Sequence, residues 1–219
     1  MKGLARNIKY WLYYSGKTFC IVAAMIIGIC VMTTLFDGEF NLLMLAHNLA
    51  YYLVLMTAIL TMVYAYTNIT IVMPMTVSLG STRLPSIIGM EVAQHIFTLV
   101  GAGIAVIITV VSDPVISGVL AAFWPLAIAL LFIIHAFGNL ISFFSLEFGK
   151  TLGMILYIAS VLIVSIGVAI FFMSVRYSKF DMTAFTTGTQ LLIALAALVL
   201  DVIFAMLVYL GIRKKNLNF

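Results

Sequence analysis

The chain has 219 residues, of which 65% are hydrophobic and 8% charged, with a formal net charge of +4. Its mean hydropathy is +1.25. Soluble globular domains are about a quarter charged, so this chain lacks the polar surface to cover a water-soluble particle. That excludes soluble enzymes and soluble nucleic-acid-binding domains and leaves an integral membrane protein.

The first stretch, 1–16, has its own pattern. At about 100° per residue, Lys2, Arg6 and Lys9 fall within about 60° of one another. Leu4, Ile8, Trp11 and Leu12 lie opposite them, and Tyr10, Tyr13 and Tyr14 add rings that favour the membrane interface. The pattern predicts an amphipathic helix lying in the membrane surface before the chain turns to span it. A basic start before an apolar run also looks like a signal peptide. The run is longer than a usual h-region, however, and no small-x-small site precedes Asp37, so the segment is read as retained.

Six apolar runs follow, at 18–36, 42–65, 88–111, 117–138, 152–174 and 187–211. Each is near the ~20 residues a membrane-spanning helix needs. Barrel strands would be about 10 residues long with strict alternation. The breaks between runs are too short for a soluble domain, so the expectation is one all-α transmembrane domain over 1–219. Cys20 and Cys30 lie in a single run, about 15 Å apart along a helix axis, which is too far for a disulfide.

Lysine and arginine set the orientation. With the N-terminus inside, the cytoplasmic side holds Lys2, Arg6, Lys9, Lys17, Arg83, Lys150, Arg213, Lys214 and Lys215, and the outer side only Arg176 and Lys179. This positive-inside bias predicts that both termini are cytoplasmic. The basic residues flank membrane segments, so they point to lipid headgroups and not to nucleic acid.

No catalytic motif is legible. There is no H-E-x-x-H, C-x-x-C or G-x-S-x-G, so no catalytic residue and no metal site is predicted. Gly16-Lys17-Thr18 and Gly149-Lys150-Thr151 spell the end of a P-loop, but the required earlier glycine is Trp11 in one and Phe144 in the other. His47, His95 and His135 fall on three different runs. Asp201, in ALAALVLDVIFAML, is the clearest ionisable residue within a span. A mid-bilayer charge costs about 2.5–3.5 kcal/mol, so Asp201 must face a cavity or another helix, or be protonated. His135, placed near the cytoplasmic end of the fourth run, is at a depth that would let it pair with Asp201. Glu91 and His95 are four apart and share a helix face, close to the cytoplasmic interface on this reading. Two small-residue pairs, Ala24 with Gly28 and Gly101 with Ala105, permit close helix contacts.

The stretch Met73–Glu91, MPMTVSLGSTRLPSIIGME, interrupts two apolar runs. Pro74 suits the first turn of a helix and Gly80 its end. About two turns do not stand alone in water, so this segment needs a docking surface. Pro85 suits the first turn of the third span. The expected product is a short cytoplasmic helix at a sharp corner between two spans.

Pro74 together with Ser78-Leu79-Gly80-Ser81-Thr82-Arg83 resembles the coupling helix of ABC-2 type permeases, the six-helix subunits of ATP-binding-cassette exporters. The layout is also similar, with an N-terminal elbow, six spans, a long second cytoplasmic segment and a basic tail. The resemblance implies a permease subunit working as a homodimer or heterodimer with two separate ATPase subunits, which bind the ATP and magnesium. This chain would then be no enzyme and carry no cofactor. The corner at Gly80–Arg83 would meet the ATPase, and a compact re-entrant segment is expected at 177–190. The cargo would be amphipathic or hydrophobic, such as a peptide toxin, an antibiotic or a lipid, exported across a bacterial plasma membrane. Three other readings fit the same composition: the substrate-binding membrane subunit of a vitamin importer, an intramembrane enzyme, and a channel. A tight small-molecule complex, activity without an ATPase, or ATP-independent flux would favour them respectively.

Overall fold

A computed structural model describes residues 2–36, 41–74, 82–112, 114–176 and 186–214. They form six long helices: α1 (Lys2–Phe36), α2 (Leu42–Thr67), α3 (Arg83–Ser112), α4 (Pro114–Phe148), α5 (Lys150–Arg176) and α6 (Thr187–Lys214). All six contain a stretch long and apolar enough to cross a membrane. Large hydrophobic side chains such as Met25, Ile107, Ile163 and Leu192 point outward along them, as a lipid-facing surface requires.

Helix α4 is the hub. It packs most extensively against α6 and also contacts α2, α3 and α5, while α3 packs against α1 and α2. Pro125 lies inside α4, and Phe123 just before it leaves helical geometry at φ −123°, ψ 22°. Proline removes one helical hydrogen bond and its ring clashes with the preceding turn, which accounts for the kink. Gln190 of α6 donates to the carbonyl of Ala122 beside the break, at 3.3 Å. Gly149 ends α4 at φ +105°, a left-handed conformation suited to glycine, and lets α5 begin one residue later.

Close approach of the helices depends on small residues. A Cβ at Gly138 of α4 would sit 2.6 Å from Cβ of Ala65 and 3.2 Å from the carbonyl of Met62 on α2. Of the two expected small-residue pairs, Gly101 packs tightly on Thr57 and Ala105 is buried, whereas Gly28 has nothing near it. Gly138→Ala should therefore destabilise by about 1–3 kcal/mol through overpacking. Gly28→Ala should be neutral or slightly stabilising, because alanine is the better helix former. Melting temperatures of the two variants in detergent check this, and equal values would refute the packing argument.

Three differences from the sequence reading matter. First, α1 runs unbroken from Lys2 to Phe36, so 1–16 is not a separate helix that turns into the span. Arg6 and Lys9 are exposed as expected, but Trp11 is fully buried in protein instead of facing lipid. The indole donates to Ser86 Oγ at 3.3 Å and packs among Ile69, Met73, Ile87, Met90 and Val208. Second, α2 continues through a π-helical segment, Asn68–Val72, to the buried Pro74. Thr67 and Thr70 hydroxyls donate to the carbonyls of Val63 and Tyr66 around it. Pro74 is the last described residue there, and the short helix that the sequence suggests from Pro74 to Gly80 otherwise lies outside the described residues. Third, α3 begins at Arg83 and α4 runs on to Phe148, so both extend beyond the hydropathy boundaries. Pro85 does fall in the first turn of α3, as expected.

Ser78, Leu79, Gly80 and Ser81 lie outside the described residues, as does most of the segment at 177–190, whose final residues belong to α6.

Candidate functional site

The site is built from one face each of α3, α4 and α6. On α3, Glu91, Gln94 and His95 recur at the three- and four-residue spacing that puts side chains on one face. His135 and Asn139 do the same on α4. Asp201 comes from α6. His95, His135 and Asp201 each lie near the middle of their spans, so the polar groups meet at mid-depth and not at the interface.

Asp201 is the centre. Its Oδ2 lies 2.8 Å from His95 Nε2 and its Oδ1 lies 2.8 Å from His135 Nδ1. One carboxylate thus joins two imidazoles from two other helices. His95 Nδ1 lies 2.7 Å from the backbone carbonyl of Glu91, which can only accept, so that nitrogen carries a proton. His135 Nε2 meets the amide oxygen of Gln94. The Glu91 side chain points to the same nitrogen, with Oε2 at 3.5 Å. The rings of His95 and His135 pack edge-on with centroids 4.5 Å apart.

Mutual hydrogen bonds between the Asp201 carboxylate and the two imidazoles make such a group tolerable far from water. The hydrogen bonding is nonetheless incomplete. Among the described residues, Glu91 Oε1, Gln94 Nε2 and both amide atoms of Asn139 are buried without a hydrogen-bond partner. Unsatisfied buried polar atoms are costly, so each of these calls for a partner or a role.

The side chains of His135 and Asp201 are each 3% exposed, while His95 is 27% exposed. His95 and His135 line a small cleft between α3 and α4 with Thr98, Leu99, Ile128, Leu131 and Phe132. His95 is therefore the side of the cluster that a small solute can approach.

The structure brings together four residues singled out from the sequence: Asp201, His135, Glu91 and His95. It adds Gln94 and Asn139, which their helical spacing from Glu91 and His135 within apolar runs would have revealed. Arg83, expected at the ATPase contact, donates from one guanidinium nitrogen to the carbonyls of Ile212 at 3.1 Å and Arg213 at 3.2 Å. It ties the start of α3 to the end of α6. Thr82 precedes it and is exposed.

Comparison with protein-family models, with curated proteins and with solved structures gives no match, so the function must be argued from this geometry.

Proposed function

We propose that the chain is the transmembrane permease subunit of an ATP-driven exporter of the ABC-2 type. In this reading it works as a dimer with two separate ATPase subunits and moves an amphipathic or hydrophobic cargo out of a bacterial cell. The observation that carries the reading is the clamp of Arg83 on the carbonyl end of α6. The segment between Pro74 and Arg83 joins the extended α2 to α3, and Arg83 links it to α6 as well. A push delivered there reaches three helices, among them the two that carry Glu91, His95 and Asp201.

Two further features support it. Lys9, Arg83, Lys150 and Arg213 lie at the helix ends gathered around the Pro74–Arg83 junction, and Arg176 lies at the opposite end. By the positive-inside rule this distribution favours a cytoplasmic junction, the side on which an ATPase would act. The sequence given also contains no P-loop, so the energy would come from a partner. The broad apolar flanks of the helices suit lipid and a second permease copy.

Arg83→Glu tests the reading. A glutamate at the start of α3 gains about 0.3–1 kcal/mol from the helix dipole. It also loses charge-assisted hydrogen bonds worth about 1.5–3 kcal/mol and faces two carbonyl oxygens. The loss exceeds the gain. When the chain is coexpressed with its cognate ABC ATPase, Arg83→Glu should cut cargo-stimulated ATP hydrolysis at least about tenfold. Arg83→Lys should retain part of it, and membrane abundance should be unchanged. Full stimulation and copurification by Arg83→Glu would count against the junction as transmission element, and activity of the chain without any ATPase would remove the exporter reading.

A further inference from the structure

We infer that Glu91, His95 and His135 form an intramembrane binding site for a divalent transition-metal ion of the zinc type, oriented by Asp201. The inference stands on the cluster alone and does not depend on the exporter reading.

Geometry is the first support. One ligand atom from each of Glu91, His95 and His135 lies within 4.8 Å of the others. In a tetrahedral site with bonds of about 2.0–2.1 Å, neighbouring ligand atoms are about 3.3–3.4 Å apart. His135 Nε2 and Glu91 Oε2 are already 3.5 Å apart, which is too long for a hydrogen bond and close to the edge of such a tetrahedron. His95, the least enclosed of the three, would close the remaining distance by a swing of its ring that exchanges the Nε2 contact with Asp201 Oδ2 for the ion. The Gln94 amide oxygen, already beside His135 Nε2, is the nearest neutral donor for a fourth position.

The second support is an orphaned donor set. Glu91 Oε1 is buried without a hydrogen-bond partner among the described residues, and its Oε2 lies 3.5 Å from His135 Nε2. A carboxylate in this position at mid-depth calls for a cation.

The third support is the shell behind the ligands. Asp201 Oδ1 accepts from His135 Nδ1, which leaves Nε2, facing Glu91 Oε2 and the Gln94 amide oxygen, as the nitrogen that would release its proton to bind the ion. A carboxylate that holds the far nitrogen of a metal-binding imidazole fixes its tautomer and raises its basicity. With neutral imidazoles, Glu91 and Asp201 carry two negative charges, which one divalent cation cancels.

Ligand chemistry narrows the ion. Two imidazoles and a carboxylate suit zinc, cobalt or nickel, whereas calcium and magnesium prefer all-oxygen sites. No thiolate is present, since Cys20 and Cys30 lie on α1, where Cys30 packs with Ile26, Leu53 and Ala105.

The test is titration of the full-length chain, purified in detergent without a histidine tag, with Co²⁺ and then Zn²⁺. Wild type should bind one equivalent of Co²⁺ with visible d–d bands of nitrogen and oxygen ligation, and Zn²⁺ should displace it. His135→Gln and Glu91→Gln should each weaken binding at least about 100-fold, while Asp201→Asn should weaken it about 10- to 100-fold. Cys30→Ser should leave the spectrum unchanged. If His135→Gln does not purify as a monodisperse protein, His95→Gln, at the more open edge, should show the same loss. A monodisperse wild type that binds neither ion, or a Glu91→Gln protein that binds like wild type, overturns the inference.

Discussion

Asp201→Leu is expected to lose most of the folded protein, even though leucine is the better membrane residue. Removing the carboxylate gains about 2.5–3.5 kcal/mol for placing α6 in the bilayer, so membrane abundance should hold or rise. The folded state loses more. Asp201 is 2% exposed and is the acceptor for both His95 and His135. Breaking a buried ionic cluster by removing one member costs about 3–5 kcal/mol, because the remaining groups are stranded. Asp201→Asn should cost less, since the amide oxygen still accepts from one ring and its N–H₂ can donate to the other in its neutral form. The readout is the melting temperature and the monodisperse fraction in detergent, scored separately from membrane abundance. His135→Leu/Asp201→Leu should be less damaging than the sum of its singles, because it removes both sides of one contact. A wild-type melting temperature for Asp201→Leu would show that the cluster contributes nothing to the fold.

Why was the cluster only half legible in the sequence? The six spans were readable because lipid-facing surfaces force long apolar runs. Their ends were not. A hydropathy reading stops at the first polar residues, so the fourth run ended at Gly138. In the structure α4 continues through Asn139, Ser142 and Ser145, all of which turn inward. Ser142 donates to the carbonyls of Ala65 at 3.0 Å and Gly138 at 2.9 Å, so its polarity is satisfied within the protein. Shortening α4 moved His135 from the middle of its span to an apparent end. Starting α3 at 88 instead of Arg83 did the same to Glu91 and His95. Pairwise spacing along one helix was therefore informative, while depth across helices was not.

Other features have no local signature. Nothing in NITIV requires a π segment, although its Thr70 and the preceding Thr67 bond to carbonyls of the preceding turn and ease the irregular winding. The contact between Arg83 and Ile212 joins residues 129 apart in sequence and follows only from the packing. Trp11 was misplaced for a related reason. An amphipathic pattern tells which face of a helix is apolar, but not whether lipid or protein covers it.

That ambiguity yields the second large prediction. Trp11→Ala should destabilise the protein by about 3 kcal/mol, the lower end of the range for emptying an aromatic site in a soluble core. The lower end applies because lipid is as apolar as the protein interior, so the loss is mostly packing and little transfer. Trp11→Phe should cost about 1 kcal/mol, the worth of the hydrogen bond to Ser86. Tyr13→Ala, at a position 75% exposed, should change stability by less than about 0.5 kcal/mol. A surface-lying helix held by its aromatic rings predicts something different: Tyr13 would matter about as much as Trp11. Gly89→Val supplies an independent arm. A Cβ there would lie 3.0 Å from the backbone of Asn7 and Ile8 and 3.1 Å from the Trp11 ring. Backbone atoms cannot move aside as a flexible side chain would, so overpacking should cost about 1–3 kcal/mol. Melting temperatures in detergent rank the four variants. The order matters beyond stability, because Trp11 and Gly89 fasten the first turns of α1 to the same end of α3 that Arg83 fixes to α6. If the junction at Pro74–Arg83 moves during a working cycle, α1 must travel with α3. Trp11→Ala should then weaken the coupling between junction and bundle in proportion to the packing it removes.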